Sequence, residues 1–431
     1  MLAARIRNWG FWTSDLLQGA PVRKHCEDIE ARLVSGNPSG ERLEALLRYA
    51  VEHVPHYAPF RGFGSLQDFP VVDKTVIKAD YEAFHSDAFA GAHLHLLRTS
   101  GSTGIPFAVL QDEDKRRRVL AEMICFGRRA QYHVGDRFVF TRAWNEHNRK
   151  RWDVALRENA IMFDVSSLDE ARLESLRALL RSDTGIRCIM GYPSTFEPLM
   201  QYMERRGDDF EAAHLRSIIT ISERLSDATR KALQERFKCI VVSRYSNQEN
   251  GILAQQCPER GEFHLNTASY FFEYLKLEEN LPAAPGERAR MVVTDLFNRA
   301  MPLIRYDTGD IVVRQPSAAC GWATDALSSV EGRRMDFIYD TMDRLLSPAA
   351  VCNHLWPFTR LKQYQFIQEA KGRYEIVLNG ADGNYRDEQF VDLMRNVLGS
   401  DADVRVTHVD RIPSHASGKF MQIVSRYRPS A

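Results

Sequence analysis

The stretch RTSGSTGIPF, residues 98–107, places two glycines and four hydroxyl side chains between an arginine and a proline. A flexible linker uses such residues because they specify little, whereas a ligand loop uses them because the backbone must approach an anion closely. Glycines let peptide N–H groups point together at a phosphate, and Ser or Thr hydroxyls add donors. No Gly-Lys-Ser or Gly-Lys-Thr follows at the spacing of nucleoside triphosphatases. Linker and phosphate loop therefore both stay open for this stretch.

Composition indicates a globular chain of more than one domain. The chain has 431 residues, which is longer than a domain with a single hydrophobic core usually is, so two or three domains are expected. With 44% hydrophobic and 26% charged residues, the chain can bury a substantial interior. Lys plus Arg and Asp plus Glu are equal at 57 each, so no overall field favours nucleic acid or an anionic membrane. Any contact with a nucleotide must be local.

The chain shows no pattern of a membrane span or a secretory signal. No apolar run approaches the roughly 20 residues that a spanning helix needs, and residues 1–20 lack an apolar core with a small-residue cleavage site. We expect a cytoplasmic protein. Seven scattered cysteines favour reduced thiols or a metal site over a disulfide framework. No pattern indicates the oligomeric state.

Helical and strand patterns alternate without a repeat. In residues 41–57, ERLEALLRYAVEHVPHY, apolar residues follow helical spacing until Pro55. Strand-like runs are RFVFT (137–141), RCIMGY (187–192), SIITIS (217–222), CIVVSRY (239–245) and MVVTDL (291–296). A helix is predicted over SDATRKALQERF (226–237), with Ser226 as its cap. The alternation predicts an α/β fold.

The pattern changes near residue 336. A predicted helix (344–358), two strands (361–370 and 374–380), a helix (388–399) and a strand (403–409) follow one another. This order is typical of a small α+β domain. We therefore predict a large N-terminal domain of mixed sheets and helices, residues 1–335, and a small C-terminal domain, residues 336–431.

Five motifs occur in an order that resembles the adenylate-forming enzymes. They are TSGSTGIP (99–106), RYSNQENG (244–251), RYDTGD (305–310), EGRRMDFI (331–338) and SGK (417–419). Together with GYPS (191–194) and the short chain, they resemble acyl-CoA synthetases of the phenylacetate-CoA ligase branch. Within that branch, LLQGAPVRKHCEDIE (16–30), FPVVDK (69–74) and the spelling TSGSTGIPF look most similar to CapK-type proteins linked to capsule polysaccharide synthesis.

The resemblance implies an ATP-dependent reaction and a set of residues for it. In such enzymes a carboxylate attacks the α-phosphate of ATP, pyrophosphate leaves and an acyl-AMP forms. The implied catalytic residues are Lys419, directed at the α-phosphate, and Glu249, which would hold Mg²⁺. Asp336 would be the hinge on which the small, mobile lid domain turns after adenylation. The implied nucleotide-binding residues are Thr99, Ser100, Gly101, Ser102, Thr103, Gly104, Glu223, Tyr245, Ser246, Asp310 and Arg333.

Several of these residues have a structural alternative. Tyr245 would stack on adenine, although a tyrosine that ends a strand is often core. Asp310 would accept both ribose hydroxyls. A hairpin turn between LIRY and DIVV would explain the DTG of RYDTGD but not Asp310. Arg333 would face the ribose or phosphates, and Glu249, Arg333 and Lys419 could each be solvated surface residues.

Two positions depart from the family pattern. Ile105 stands where many relatives carry a lysine, so one phosphate-directed charge is missing from the loop. Triphosphate binding would then depend more on Mg²⁺ and Lys419. Ser222 stands where relatives have a glycine or alanine before the glutamate, which changes the shape expected for the pocket beside Glu223.

A zinc site and an acyl pocket are also implied by the resemblance. Cys257, His264 and Cys320 correspond to structural zinc positions of some members of the branch, but Ala318 replaces a second cysteine. Three ligands with water or another residue, and three side chains without metal, both stay open. Trp144, Tyr192 and Phe196 lie in segments that would line the acyl pocket, near the polar Arg142 and residues 145–151. The resemblance implies a carboxylic acid as the substrate and does not identify which one.

Three functions remain open from the sequence. The first is a carboxylate-CoA ligase that uses ATP, Mg²⁺ and CoA. The second is a CapK-like ligase that passes the acyl group to an amine, a sugar or a carrier protein. The third is a noncatalytic nucleotide-binding relative, which Ile105 favours and Glu249, Asp310 and Lys419 disfavour.

Overall fold

Helices and strands alternate through most of the chain. The computed structural model describes residues 2–36, 40–99, 107–142, 144, 149–165, 170–207, 212, 214–316, 320–333, 338–346, 351, 354–355, 358, 361, 363–379, 385–412 and 423–428. The α-helices are α1 (Leu2–Leu17), α2 (Pro21–Ser35), α3 (Gly40–His53), α4 (Lys74–Ala79), α5 (Glu113–Arg129), α6 (Trp152–Glu158), α7 (Glu170–Ser182), α8 (Pro193–Arg205), α9 (Asp227–Phe237) and α10 (Asp387–Leu398).

The strands form one large sheet and three small ones among the described residues. They are β1 (His95–Thr99), β2 (Phe107–Gln111), β3 (Arg137–Arg142), β4 (Ala160–Asp164), β5 (Ile186–Gly191), β6 (Ser217–Ile221), β7 (Ile240–Asn247), β8 (Gly251–Gln256), β9 (Phe263–Leu265), β10 (Tyr270–Leu275), β11 (Arg288–Asp295), β12 (Tyr306–Gln315), β13 (Ala326–Arg333), β14 (Ile338–Tyr339), β15 (Leu345–Leu346), β16 (Gln363–Ala370), β17 (Arg373–Asn379), β18 (Asp403–His408) and β19 (Ile423–Ser425).

The large sheet has a parallel half and an antiparallel half that meet at β7. In the described part of the chain its order is β10-β11-β12-β13-β9-β8-β7-β6-β5-β3-β4. Strands β4, β3, β5, β6 and β7 run parallel, with helices α6 to α9 in the crossovers. Strand β8 pairs antiparallel with β7. Ligands of open α/β sheets bind at the carboxyl ends of such strands, so a binding site is expected at the carboxyl end of β7.

An apolar core fixes the helices on the parallel half. Leu176 of α7, Leu199 of α8 and Leu233 of α9 are fully buried and belong to one cluster with Ile189 of β5 and Ile218 of β6. Each such side chain contributes roughly 1.5–3 kcal/mol through the hydrophobic effect. The helices therefore hold the carboxyl ends of these strands in fixed positions.

The C-terminal part has its own sheet and core. Strands pair in the order β18-β17-β16-β19, and Phe390 and Met394 of α10 pack on Phe366 and Ile376 of this sheet. The described members of this core cluster lie between residues 338 and 423. The predicted boundary between residues 335 and 336 lies outside the described residues and stays a prediction.

The α/β class predicted from the sequence is confirmed. The predicted helix in 41–57 appears as Gly40–His53, and Ser226 caps α9 by accepting from the Thr229 N–H. One reading of RYDTGD was wrong, because these residues do not form a hairpin turn. Tyr306–Gln315 is one strand, and Gly309 at φ 76° lies where its register with β11 shifts. The segment predicted as a helix over 344–358 begins instead with strand β15.

No helix in the described ranges is both long and apolar enough to span a bilayer. The six cysteines among the described residues are free thiols.

Candidate active site

Tyr245 and Asp310 meet at the carboxyl end of β7. Tyr245 is 8% exposed, and its hydroxyl donates a hydrogen bond to Asp310 Oδ2 at 2.7 Å. Ser246 follows at a register shift between β7 and β8 and is half-buried. The motifs RYSNQENG and RYDTGD, distant in sequence, thus share one location, where the sheet changes direction.

The bulge in β12 positions Asp310. The Thr308 hydroxyl donates to the Met291 carbonyl at 3.0 Å and accepts from the Asp310 N–H at 3.2 Å. On the opposite neighbour β13, Arg333 is the register partner of Asp310. The strand pairing therefore brings the backbone of Arg333, from EGRRMDFI, opposite that of Asp310.

Glu249 lies in the turn between β7 and β8, and it is 2% exposed. Two buried side chains, Glu122 and Tyr270, bind the backbone of this turn and of the strand after it. Glu122 Oε2 accepts from the Ile252 N–H at 3.0 Å, and the Tyr270 hydroxyl donates to the Asn250 carbonyl at 2.9 Å. A Cβ at Gly251 would lie 2.6 Å from that Glu122 oxygen. The last glycine of RYSNQENG, Gly251, is therefore needed for close packing. Because Glu249 is buried, the alternative that it is a solvated loop residue is wrong.

Lys74 is a residue that the sequence analysis did not assign to the site. Its ammonium lies 2.5 Å from Glu249 Oε1, which also accepts from the Tyr306 hydroxyl at 3.0 Å. Burial alone would raise the pKa of Glu249, but the Lys74 charge and these hydrogen bonds outweigh it, and the pKa lies below its ordinary value. The carboxylate is therefore kept ionised.

The segment FPVVDK reaches the site through backbone pairing with RYDTGD. Val72 forms a parallel bridge to Tyr306, and its N–H and C=O bond to Arg305 O at 3.0 Å and Asp307 N at 2.8 Å. The Asp73 side chain then caps the first turn of α4, where Lys74 stands. The sequence singles out the FPVVDK motif that contains Lys74. Only the pairing of Val72 with Tyr306 shows that the Lys74 side chain reaches Glu249.

The predicted phosphate loop connects two paired strands. Thr99 ends β1 and is the register partner of Phe107, the first residue of β2. Ser100, Gly101, Ser102, Thr103 and Gly104 lie outside the described residues, as do Lys419, Asp336 and Ala318. At the other end of β2, the Gln111 amide donates to the Glu249 carbonyl at 3.0 Å. One short strand thus links the loop to the turn that carries Glu249.

Glu223 follows β6 and faces the start of α8. Its carboxylate accepts from the Ser194 N–H at 3.0 Å and the Ser194 hydroxyl at 3.1 Å. An anion at a helix N-terminus is favourable, so this contact joins GYPS to ISERLS. Ser222 has φ 67°, a left-handed value that glycine adopts at less cost.

The three acyl-pocket candidates have different surroundings. Tyr192 follows β5, and the Arg142 guanidinium lies beside its hydroxyl, whose pKa burial raises. Arg142 Nε and Trp144 Nε1 are buried without a hydrogen-bond partner among the described residues. Phe196 is fully buried in the core cluster behind α8. Phe196 is therefore a core residue, and its prediction as a pocket residue is corrected.

Cys257, His264 and Cys320 cluster as a candidate metal centre. Their ligand atoms all lie within 4.8 Å of one another, and Cys320 Sγ is 2.7 Å from His264 Nε2. Burial and the Arg129 charge lower the pKa of His264, which favours the neutral imidazole that binds metal. Thr324 Oγ1 lies 3.4 Å from the other ring nitrogen. These donors fit three of the four positions of a tetrahedral zinc.

Comparisons with known proteins agree with the motifs. The family model described as "CapK C-terminal domain" matches residues 338–426. Phenylacetate-coenzyme A ligase of Escherichia coli (strain K12) is 26% identical, covering 79% of this chain and 78% of that protein. Protein CapK of Staphylococcus aureus is 21% identical over 53% of this chain and 50% of CapK. The resemblance inferred from the sequence is confirmed at low identity.

Solved structures confirm the fold. 2-Hydroxyisobutyryl-CoA ligase in the postadenylation state, in complex with 2-HIB-AMP, has a TM-score of 0.70 at 17% identity, with 90% of both chains covered. The same protein in the thioesterification state has a TM-score of 0.56, with 90% of this chain and 91% of that chain covered at 18% identity.

Proposed function

We propose that this chain, which is similar to phenylacetate-CoA ligases and to CapK, is an ATP-dependent ligase that converts a carboxylic acid to an acyl-AMP and transfers the acyl group to CoA. The observation that carries the proposal is the convergence of Tyr245, Asp310 and Glu249 at the carboxyl end of β7. The ligase relatives and the ligase fold support the reaction class.

Asp310 and Tyr245 would form the nucleoside part of the site. An ionised carboxylate only accepts hydrogen bonds, so Asp310 suits the two ribose hydroxyls. The Tyr245 hydroxyl, 2.7 Å from Oδ2, would fix the rotamer of that carboxylate. Arg333, the register partner of Asp310, would stand at the same edge of the nucleotide.

Glu249, Lys74 and residues 99–104 would form the phosphate part. Glu249 is an ionised oxygen donor of the kind that Mg²⁺ prefers, and Mg²⁺ neutralises charge on the phosphates when it is bound. Lys74, the ion-pair partner of Glu249, would supply a positive charge near the phosphates that Ile105 does not. The glycines of the loop would let N–H groups approach the leaving pyrophosphate.

The two steps balance without a further reactant. A carboxylate oxygen of the acid bonds to the α-phosphorus while the bond to the β-phosphate oxygen breaks, and pyrophosphate leaves. Lys419 would stabilise the charge on the α-phosphate. In the second step the CoA sulfur bonds to the acyl carbon, AMP leaves and the thiol proton passes to solvent. Asp336 would allow the small domain to move between the steps.

A different acceptor is the second candidate function. The match of residues 338–426 to the CapK C-terminal domain favours it, because this small domain would approach the acyl-adenylate in the second step. The acceptor would then be an amine, a sugar or a carrier protein. Cys257, His264 and Cys320 would hold a structural zinc in either case.

Pyrophosphate release from ATP tests the proposal across aromatic, aliphatic, amino and sugar acids, each with and without CoA. Acid-dependent release with a thioester product supports the CoA ligase. Acid-dependent release that is indifferent to CoA supports the second acceptor class. If no acid gives release, the adenylation proposal is contradicted and the noncatalytic nucleotide-binding relative is favoured.

A further inference from the structure

Helix α1 has one face that is fixed to the protein. Asp15 is buried and accepts from the Val22 N–H at 2.9 Å and the Arg23 N–H at 3.1 Å. The Asn8 amide donates to the Val134 carbonyl at 3.0 Å, and Trp12 packs on the core cluster formed by α2 and α5. These contacts determine which side of the helix points outward.

The outward face of α1 is apolar. Leu2, Ile6, Trp9 and Leu16 are 73%, 59%, 71% and 59% exposed. Their spacing places them on one side of a helix. Since each residue advances the helix by 1.5 Å, this stripe is about 20 Å long. A contiguous apolar stripe exposed on a surface helix marks an interaction surface.

Helix α6 extends the same apolar surface. Trp152 is 77% exposed and Leu156 is 60% exposed. An open groove of about 580 Å³ separates them from Ala3 and Ile6 of α1. The Arg7 guanidinium donates to the Leu156 carbonyl at 3.3 Å and ties the two helices together. We call the surface formed by Leu2, Ile6, Trp9, Leu16, Trp152 and Leu156 the apolar platform.

Arginines flank the residues of the apolar platform along the chain, and Arg7 and Arg157 line its groove. The flanking arginines are Arg5 and Arg7 on α1 and Arg149, Arg151 and Arg157 at or beside α6. The acidic residues of α6 are each paired with a base, Asp153 with Arg151 at 3.0 Å and Glu158 with Lys150. The local charge is therefore positive although the whole chain is neutral.

We propose that the apolar platform docks this protein on an anionic lipid bilayer, with α1 lying in the plane of the surface. Exposed tryptophans and leucines with an arginine rim are what an interfacial helix needs, because the side chains enter the acyl boundary while the arginines meet lipid phosphates. A second copy fits less well, since a twofold contact through this surface would bring the arginines of both copies together.

Flotation of the full chain with vesicles of phosphatidylcholine, with and without phosphatidylglycerol, tests the proposal. We expect binding to the anionic vesicles that decreases with salt. Trp9→Ser combined with Trp152→Ser should reduce binding at least about tenfold, because it removes buried apolar area. Met342→Ser is the matched control, since Met342 is 71% exposed like Trp9 but lies on another surface.

Arg5→Glu combined with Arg157→Glu should also weaken binding and reduce its dependence on salt. Thermal unfolding of every variant checks the fold. The proposal is wrong if the chain binds neither vesicle, or if the tryptophan variant and the Met342 variant bind equally. A dimer in light scattering that only the tryptophan variant loses would overturn it in favour of a second copy.

Discussion

The Lys74 ammonium lies 2.5 Å from Glu249 Oε1, at the same oxygen that accepts from the Tyr306 hydroxyl. Glu249 is 2% exposed, so it depends on this positive partner. The three side chains come from α4, the turn after β7 and the start of β12. Their meeting places a lysine beside Glu249, the proposed magnesium ligand.

Lys74→Met should abolish most adenylation. Without the ammonium the proposed phosphate site loses a fixed charge, and we expect pyrophosphate release to fall at least about 100-fold. The variant should also lose about 3 kcal/mol of free energy of unfolding, because it leaves Glu249 as an unpaired buried charge. Acid-dependent pyrophosphate release and urea unfolding measure the two effects.

A double variant tests the cause of the stability loss. Lys74→Met with Glu249→Gln removes both charges, so stability should largely return, while pyrophosphate release stays absent because the proposed magnesium ligand is lost as well. Lys78→Met, on the same helix, is the control and should keep its activity. Full release by the single Lys74 variant would show that this lysine has only a structural role.

Tyr245→Phe should weaken ATP binding by about tenfold. A hydrogen bond to a charged group contributes roughly 1.5–3 kcal/mol, and the variant removes the donor that fixes Asp310. Asp310→Ala should weaken binding more, since it removes the proposed ribose acceptor. Calorimetric titration with ATP measures both. Tyr202→Phe is the control, because Tyr202 donates to Glu174 at 2.8 Å on another surface. Unchanged affinity in both Tyr245 and Asp310 variants would refute the nucleoside assignment.

The fold class could be predicted because its signals are local. Periodicity marks α3 and α9, and Ser226 caps α9 as the sequence indicates. The conformation of the DTG in RYDTGD was harder to predict, because a glycine between two strand-like runs is compatible with a hairpin turn and with a β-bulge. The difference depends on the pairing of Thr308 with Met291, a strand contact that sequence spacing does not encode.

Other parts of the site depend on contacts between distant segments. Lys74 reaches Glu249 only because Val72 pairs with Tyr306. Phe196 looked like a pocket residue, but an apolar side chain on the first turns of α8 can point toward either the pocket or the core. The helix places it in the core. No local sequence pattern predicts the contact of Lys74 with Glu249 or the orientation of Phe196.

The Cys257, His264 and Cys320 cluster predicts about one zinc per chain in the purified protein. Cys257→Ser and Cys320→Ser should each lower the zinc content and the melting temperature, because a structural zinc contributes to folding. Elemental analysis and thermal unfolding with and without a chelator measure this. Cys239→Ser, in a thiol outside the cluster, should keep the metal. Less than about a tenth of an equivalent in the unmodified protein would dismiss the site.

Glu197 should make stability depend on pH. Burial raises the pKa of this α8 carboxyl to about 7, and Thr229 donates to it at 3.1 Å. Because the folded state binds the proton more tightly, Glu197 costs nothing below its ordinary pKa and destabilises the fold as pH rises toward 7. Glu197→Gln has no charge to bury. Relative to the unmodified chain, this variant should therefore gain about 2 kcal/mol in free energy of unfolding at pH 8 and little at pH 4. Urea unfolding at the two pH values measures the gain, with Glu235→Gln as a control for the loss of an exposed charge. An equal gain at both pH values would show that the effect of Glu197→Gln comes from packing and not from ionisation.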